Sequence, residues 1–348
     1  MDGFYIRECK TQAMTASGKA HEDTEYFLHE RGYTELIVHD GPDDTFWHRL
    51  TRHLRFFADW RHIYKTVTNG SVLVIQHPLK LKAYCKSHYL QKLRRKKGVK
   101  TVFLIHDLES LRGMVKAAHI VQADAELDAL SDGIICHNDR MKAHLTKMGI
   151  RESKIVTLEL FDYRLGQMPD RPVYPKNTVI VAGNLDPRKS VYVYSLHEAA
   201  GVRFHLFGIK YDDSEKYENV TYHGAFDPEE LVAHLEGAFG LVWDGDSIDT
   251  CAGQIGNYLQ YNNPHKLSLY MAAGIPAVVW DRSAVSEFVK KYGVGVAVSS
   301  LRDLPAALAA LSEEDYARMV QNAAAVSEKV RAGAFLNAAM DRVTAAWE

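Results

Sequence analysis

The sequence predicts an α/β protein with two doubly wound domains in tandem. Three observations support this prediction: apolar runs alternate with helical patterns, a proline-rich break interrupts them near the middle of the chain, and the alternation then resumes. Strands that alternate with helices form parallel sheets covered by helices on both faces. A length of 348 residues suits two domains of ordinary size.

The first domain, residues 1–165, is expected to contain six strands and five helices. The apolar, β-branched runs predict strands at Phe4–Ile6, Glu35–His39, Ser71–Gln76, Lys100–His106, Gly133–His137 and Lys154–Leu158. The helical patterns lie near residues 19–31, 46–66, 80–96, 112–129 and 139–148.

The periodicity stops between residues 161 and 177, where a glycine and three prolines predict a linker. The second domain, residues 175–332, has predicted strands at Thr178–Ala182, Val202–Phe207, Val220–Tyr222, Gly240–Trp243, Ala277–Trp280 and Gly295–Val298. Its helices are expected near 189–200, 228–236, 264–273, 283–291, 303–311 and 313–330. A last helix within residues 333–348 has no strand after it, and we expect it to return to the first domain.

The composition narrows the classes of function. A net charge of −2 argues against a general nucleic-acid binder, which needs a broad basic surface. Four widely separated cysteines indicate neither a zinc ribbon nor a redox pair. The chain shows no signal-peptide pattern and no run of about 18 apolar residues, so a cytoplasmic protein is expected.

A short helix that begins after Asn263 and Pro264 predicts an anion site. Asn263 suits the N-cap, Pro264 the first helical position, and Gly274 the stop. Lys266 then lies in the first turn, where the helix dipole disfavours a cation and the free N–H groups attract anions. A lysine and a helix N-terminus aimed at one point form a phosphate site. The alternative is a solvated lysine whose ammonium points away.

Two further segments of the second domain fit a nucleotide diphosphate. Gly183 and Asn184 follow the first strand, and Arg188 stands near the next helix start with charge suited to a diphosphate. Glu287 lies at the start of another helix, where a carboxylate accepts ribose hydroxyls or simply stabilises the helix dipole. The Asp244-Gly245-Asp246 turn resembles a metal-binding aspartate pair, but no second ligand cluster accompanies it, so no metal is expected.

Three predicted strands of the first domain have a histidine at their carboxyl end: His77 directly follows the first of them, and His106 and His137 are the last residues of the other two. Ligands of doubly wound sheets bind at the carboxyl ends of strands, so this edge is a candidate acceptor site. We choose Asp107 as the catalytic base, with His106 as its hydrogen-bond partner and Glu109 as the nearest rival. The alternative for Asp107 is a cap of the following turn.

A basic amphipathic pattern occupies Lys80–Lys97. Such a helix fits a peripheral contact with the inner, anionic face of a membrane. The alternative is a solvated helix face whose cations favour the helix C-terminus.

The motifs together resemble a known family. The Asn262–Lys266 and Ala272–Pro276 segments, Gly183-Asn184-Leu185, Ser286–Val289, and Ile105–Arg112 are similar to bacterial glucosyltransferase-3-like enzymes, a family that includes β-1,6-galactofuranosyltransferases. The resemblance implies a GT-B fold of two facing Rossmann-like domains, a UDP-sugar as donor substrate, no permanently bound cofactor, a glycan acceptor and a homo-oligomer.

The resemblance also implies roles by position. Arg188 and Lys266 would hold the diphosphate, Glu287 the ribose, and Phe207–Gly208 would border the uracil. The matched motifs add four donor-site residues: Gly183, Asn184, Asn263 and His265. The family's acceptor loop would fall at residues 10–18, with these candidates: Thr11, Gln12, Ser17 and Gly18.

These observations predict an inverting, metal-independent hexosyltransferase that moves glucose or galactose/galactofuranose from a UDP-sugar to a glycan. The alternatives are a galactofuranosyltransferase of O-antigen or capsule assembly that acts on a lipid-linked acceptor, and a non-catalytic partner subunit that keeps the nucleotide fold.

Overall fold

The computed structural model describes residues 1–9, 16–39, 45–79, 85–113, 118–168 and 171–347. The chain forms two compact units. The first unit comprises Met1–Leu158 together with Leu336–Glu348, and the second comprises Glu159–Phe335. Each unit is an α/β fold around one parallel sheet of six strands, so the predicted fold class is confirmed.

The sheet of the first unit has the strand order β2-β1-β3-β4-β5-β6. Its strands are β1 (Gly3–Cys9), β2 (Thr34–His39), β3 (Val72–His77), β4 (Lys100–Ile105), β5 (Gly133–Cys136) and β6 (Ile155–Thr157). Its helices are α1 (Ala16–Glu30), α2 (Phe46–Thr66), α3 (Lys86–Lys97), α4 (Glu109–Arg112), α5 (Ala118–Ala125), α6 (Leu127–Leu130) and α7 (Asp139–Lys147), with a 3-10 turn at Glu152–Lys154.

The sheet of the second unit has the strand order β12-β11-β10-β7-β8-β9. Its strands are β7 (Thr178–Asn184), β8 (Arg203–Ile209), β9 (Val220–Tyr222), β10 (Phe239–Val242), β11 (Ala277–Trp280) and β12 (Gly295–Val298). The helices are α8 (Pro228–His234), α9 (Gly253–Tyr258), α10 (His265–Ala272), α11 (Val285–Tyr292), α12 (Leu304–Ala309) and α13 (Glu313–Arg331), followed by the last helix, α14 (Ala334–Ala345).

The strands form where apolar runs are buried on both faces of the sheet. Every residue of β3 and of β10 is buried, as expected for parallel strands covered by helices on either side. The core of the second unit includes Trp243, and that of the first includes Trp60, both almost fully buried. Burying such aromatic side chains supplies much of the hydrophobic free energy of each unit.

Helix α14 packs on the first unit. Arg31, directly after α1, lies 2.5 Å from the carboxylate of Asp341 and donates to the side chain of Asn337 at 3.1 Å. A side chain in place of Gly133, at the start of β5, would overlap Val343. The sheet and the last helix therefore approach each other closely.

Two predicted helices differ from the observed elements, one observed helix was not predicted, and a fourth helix is described only in part. The pattern at 112–129 is divided among α4, α5 and α6, because Gly113 adopts a positive φ of 62° and ends α4. The segment predicted as a helix at 189–200 is a 3-10 helix at Val191–Glu198. Helix α9 was not predicted, because two glycines within six residues hide its pattern. In the fourth case, residues 80–84 of the predicted basic helix lie outside the described residues.

Candidate active site

The carboxyl edge of the second sheet contains a topological switch point. From β7 the chain proceeds to β8 and β9 on one side, and then returns to place β10 on the other side of β7. Ligands of open α/β sheets bind in the crevice formed where the strand order reverses. Gly183, near the end of β7, and Asp244, just after β10, therefore border the expected ligand position.

Lys266 reaches this crevice from the first turn of α10. Its Nζ donates to the backbone carbonyl of Trp243 at 3.0 Å and lies 2.9 Å from Oδ1 of Asp244. The side chain is 20% exposed, so it is not the freely solvated lysine of the alternative interpretation. A cation thus stands at a helix N-terminus beside the switch point, as an anion site requires.

Helix α10 begins one residue later than predicted. His265 is its first residue, and Pro264 takes the cap position with an extended ψ of 134°. The side-chain amide of Asn263 donates to the backbone carbonyl of Glu159 at 2.9 Å, which ties the approach to the helix to another loop. His265 packs its ring against Tyr163, with ring centroids 5.2 Å apart.

Two glycines allow close packing at this edge. Gly183 has a φ of +137°, and a Cβ added there would lie 3.4 Å from Cε of Lys266. Gly208 on β8 has a φ of +156°, and a Cβ there would overlap the carbonyl oxygen of Gly183. Any other residue at 208 would force β7 and β8 apart, and glycine at 183 leaves room for the lysine.

Arg188 is held near the end of β7 by Asp186. Its Nε and Nη2 donate to the two carboxylate oxygens of Asp186, at 3.0 and 2.8 Å. The hydrogen bond from Arg188 keeps the pKa of Asp186 well below its usual range. Asn184 accepts from the backbone N–H of Asp186 at 3.0 Å and shapes the turn. The arginine side chain is 85% exposed, so its guanidinium is accessible to a ligand.

Phe207 and Glu287 occupy opposite environments. The Phe207 ring is buried and stacks on the ring of His223, with centroids 4.6 Å apart. It therefore faces the interior of the unit, whereas Gly208 is partly exposed. Glu287 is exposed in the first turn of α11, as the sequence predicted.

The first unit has its own switch point between β1 and β3. Of the four candidate loop residues, Thr11 and Gln12, which follow β1, lie outside the described residues. Ser17 and Gly18 belong to the first turn of α1, although the side chain of Ser17 is not described.

The candidate catalytic groups differ in accessibility. His77 ends β3 and His137 follows β5, and both are almost fully buried. Burial lowers the pKa of His137 to about 4, so its ring is neutral, and Nε2 donates to the carbonyl of Ile105 at 3.0 Å. The side chain of Asp107 is 30% exposed, whereas that of Glu109 is 3% exposed.

Arg112 holds both candidate carboxylates. Its Nη1 lies 2.5 Å from Oδ2 of Asp107 and 3.0 Å from Oε1 of Glu109. A guanidinium hydrogen-bonded to both carboxylates holds them in a fixed orientation. Asp107 thus combines a fixed orientation with a partly exposed side chain.

His106 belongs to a chain of hydrogen bonds that we did not predict from the sequence. Its Nε2 lies 2.7 Å from Oε1 of Gln76, and Nε2 of Gln76 donates to Glu25 at 3.0 Å. The ring of His106 also stacks on His21, with centroids 3.9 Å apart. The available signal was the spacing of His21 and Glu25 by four residues, which places both on one face of α1.

A second buried pair lies beside this chain. His77 Nε2 is 2.7 Å from Asp124, which also accepts the backbone N–H of Ser110 at 2.8 Å. Burial lowers the pKa of His77, although Asp124 opposes that effect. The pair thereby ties the end of β3 to helix α5 and to the start of α4.

Comparisons with known proteins agree with this architecture. The glucosyltransferase 3-like N-terminal domain matches residues 4–160, and the corresponding C-terminal domain matches residues 179–343. The beta-1,6-galactofuranosyltransferase WbbI of Escherichia coli is 34% identical over 281 residues, which cover 79% of each chain. Glucosyltransferase 3 of Streptococcus gordonii is 24% identical over 275 residues, covering 78% of this chain and 79% of that protein.

A solved structure shows the same fold at low sequence identity. The Anabaena HepE protein in complex with UDP and glucose aligns with a TM-score of 0.60 and 11% identity, over 98% of this chain and 99% of that chain. The architecture is that of GT-B glycosyltransferases. The chain belongs to the glucosyltransferase 3-like family and is a glycosyltransferase, as the sequence motifs predicted.

Proposed function

We propose that this protein transfers a hexose from a UDP-sugar to a glycan acceptor by an inverting, metal-independent reaction. The observation that carries the proposal is the convergence of Lys266, Gly183 and the N-terminus of α10 at the switch point of the second sheet. The proposed ligand there is the diphosphate of UDP.

The second unit then serves as the donor-binding domain. Lys266 and Arg188 neutralise the leaving diphosphate, which is where negative charge develops in the transition state. Glu287 accepts the ribose hydroxyls from the exposed start of α11, and the Gly208 backbone borders the uracil. Asp244 is already paired with Lys266, so a lysine takes the position at which a metal ion would be needed.

The first unit binds the acceptor and supplies the base. Asp107 removes the proton of the acceptor hydroxyl, because it is the more exposed of the two carboxylates held by Arg112. His77 and His137 are too deeply buried to reach a substrate. His106, through Gln76 and Glu25, supports the same strand edge.

A second candidate for the donor sugar is galactofuranose. The sequence is 34% identical to a galactofuranosyltransferase and 24% identical to a glucosyltransferase 3. This difference favours UDP-galactofuranose as the donor. With that donor, the candidate acceptor is a lipid-linked glycan of O-antigen or capsule assembly.

A thermal-shift panel tests the donor. UDP-glucose, UDP-galactose, UDP-galactofuranose and UDP-GlcNAc are compared with a GDP-sugar. A true donor at 100 times its dissociation constant stabilises the folded state by about 2.7 kcal/mol. We expect stabilisation by a UDP-hexose and none by the GDP-sugar. The proposed donor class would be wrong if the GDP-sugar raised the melting temperature as much as the UDP-sugars, or if no UDP-sugar raised it. Release of hexose from the stabilising donor separates an enzyme from a non-catalytic subunit.

We further propose that the protein forms a homo-oligomer in the cytoplasm and contacts an anionic membrane surface. Within the part of the chain that the structure describes, no helix is both long and apolar enough to cross a membrane. The apolar side chains of α3, including Leu90 and Leu93, are buried, and Arg94 is paired with Asp132. Contact through Lys80–Lys97 would therefore be electrostatic, and binding to phosphatidylserine vesicles should disappear at high salt.

A further inference from the structure

A cluster of metal-ligating side chains lies at the β8–β9 edge of the second sheet. His205 is on β8, His223 directly follows β9, and Glu236 follows α8. One ligand atom from each residue lies within 4.8 Å of the others. None of the three belongs to the donor or acceptor sites proposed above.

Strand register places the two histidines together. His205 is paired with Thr221 across the parallel β8–β9 ladder, and side chains two residues apart share a face, so His223 points to the same side. The backbone N–H of His223 donates to the carbonyl of Leu206 at 2.9 Å, which fixes its position. The centroid of its ring lies 5.2 Å from that of His205 and 4.6 Å from that of Phe207.

The distances approach those of a tetrahedral zinc site. His205 Nδ1 is 2.9 Å from His223 Nε2 and 3.9 Å from Oε2 of Glu236. Tetrahedral bonds of about 2.1 Å separate ligand atoms by roughly 3.4 Å. The two measured distances bracket that value, and the half-exposed Glu236 can adjust its rotamer.

The chemistry of the three side chains also fits a metal cation. A neutral imidazole is the form that binds metal. Two neutral imidazoles and one carboxylate are a set of three protein ligands that leaves a fourth position for water.

We propose that His205, His223 and Glu236 bind a divalent transition-metal cation of the zinc class. The metal takes the place of the hydrogen bond between the two imidazoles, and the proton of that bond moves to the other nitrogen of its own ring. The metal then joins β8, the short edge strand β9 and the segment after α8. Its role is structural: it stabilises an edge of three residues, Val220–Tyr222, and takes no part in sugar transfer. The inference stands apart from the proposed function.

Calorimetric titration with Zn²⁺ and thermal shift test this proposal on the full chain after removal of metal with a chelator. We expect one strong site and a rise in melting temperature. Glu236→Gln should lower the affinity for Zn²⁺ by about tenfold or more. Removing a metal ligand should cost at least as much affinity as removing a residue that only orients a ligand. Glu229→Gln, another exposed glutamate of the same region, should match the parent.

His205→Asn provides an independent variant, and Co²⁺ provides a spectroscopic probe of four-coordinate geometry. A parent protein without a strong Zn²⁺ site would overturn the proposal. So would a Glu236→Gln protein that retains the parent affinity, because Glu236 lies at the surface and its loss leaves the fold intact.

Discussion

The ammonium of Lys266 lies 2.9 Å from the carboxylate of Asp244 at the carboxyl edge of the second sheet. The two residues are 22 positions apart in the sequence and come from a helix start and a strand end. This pair explains how a cation is tolerated in the first turn of a helix, since a carboxylate offsets the unfavourable dipole. A bound diphosphate would share the same cation.

Activity should survive EDTA. The reason is that Lys266, Arg188 and the N-terminus of α10 neutralise the leaving diphosphate in place of a metal. Transfer is measured with and without chelator. If turnover disappears and Mn²⁺ or Mg²⁺ restores it, a metal at Asp244 and Asp246 must replace the lysine in the mechanism. Loss of zinc from the β8–β9 edge should lower only the melting temperature.

Arg188→Ala should weaken UDP binding severalfold and leave the melting temperature unchanged, because the Arg188 side chain is 85% exposed and Lys210 remains 3.7 Å from the carboxylate of Asp186 as a second cation. The difference in UDP affinity between the parent and Arg188→Ala should become smaller at high salt, where surface charges are screened. Arg318→Ala is the matched control, since that exposed arginine is also paired with an aspartate, Asp315. Equal affinities for both variants would remove Arg188 from the donor site.

Asp107→Asn should lower kcat by about 10²-fold or more with UDP affinity unchanged, because the amide keeps the shape but cannot accept the proton. Asp139→Asn, on an exposed aspartate after the next strand, should behave like the parent. If Asp107→Asn turns over within a few-fold of the parent while Glu109→Gln does not, the base is Glu109.

Glu25 should make the stability of the protein depend on pH. Burial raises its pKa from 4.5 to about 7, against the attraction of Arg7, so the folded protein holds this proton more tightly than the unfolded chain. Its contribution to stability is therefore full below about pH 4.5 and is lost as the pH rises to about 7.

Urea unfolding of the parent and of Glu25→Gln between pH 5 and pH 8 measures this effect. The free energy of unfolding of the parent should fall relative to that of the variant as pH rises. Glu22→Gln, an exposed glutamate of the same helix, is the control and should follow the parent. A constant difference between parent and Glu25→Gln would show that Glu25 is ionised throughout.

Much of the fold was predictable from the sequence because buried parallel strands appear in it as short runs of apolar residues. Strands β9, β11 and β12 have the predicted bounds. Helix α9 was missed because Gly253 and Gly256 lower helix propensity, and its position depends on tertiary contacts.

The site was predictable only in part. Local patterns singled out Gly183, Arg188 and Lys266 as candidates, since a turn glycine and a helix start are visible within a few residues, and their role in donor binding stays a prediction. The partners of these groups come from distant segments, so Asp244 as the partner of Lys266 and Glu25 as the end of the His106 chain required the structure.

Calorimetric titration of UDP into the Lys266→Ala protein tests the central claim most directly. Loss of the lysine leaves a partly buried carboxylate at Asp244 without this cation, so the variant should also melt at a lower temperature. Lys266→Ala combined with Asp244→Asn removes that unpaired charge and should recover the melting temperature. We predict that both variants bind UDP more weakly than the parent by at least ~1.5 kcal/mol, about tenfold, as expected for a lost hydrogen bond to a charged group. Parent-like UDP affinity in the stable double variant would contradict a diphosphate site at Lys266.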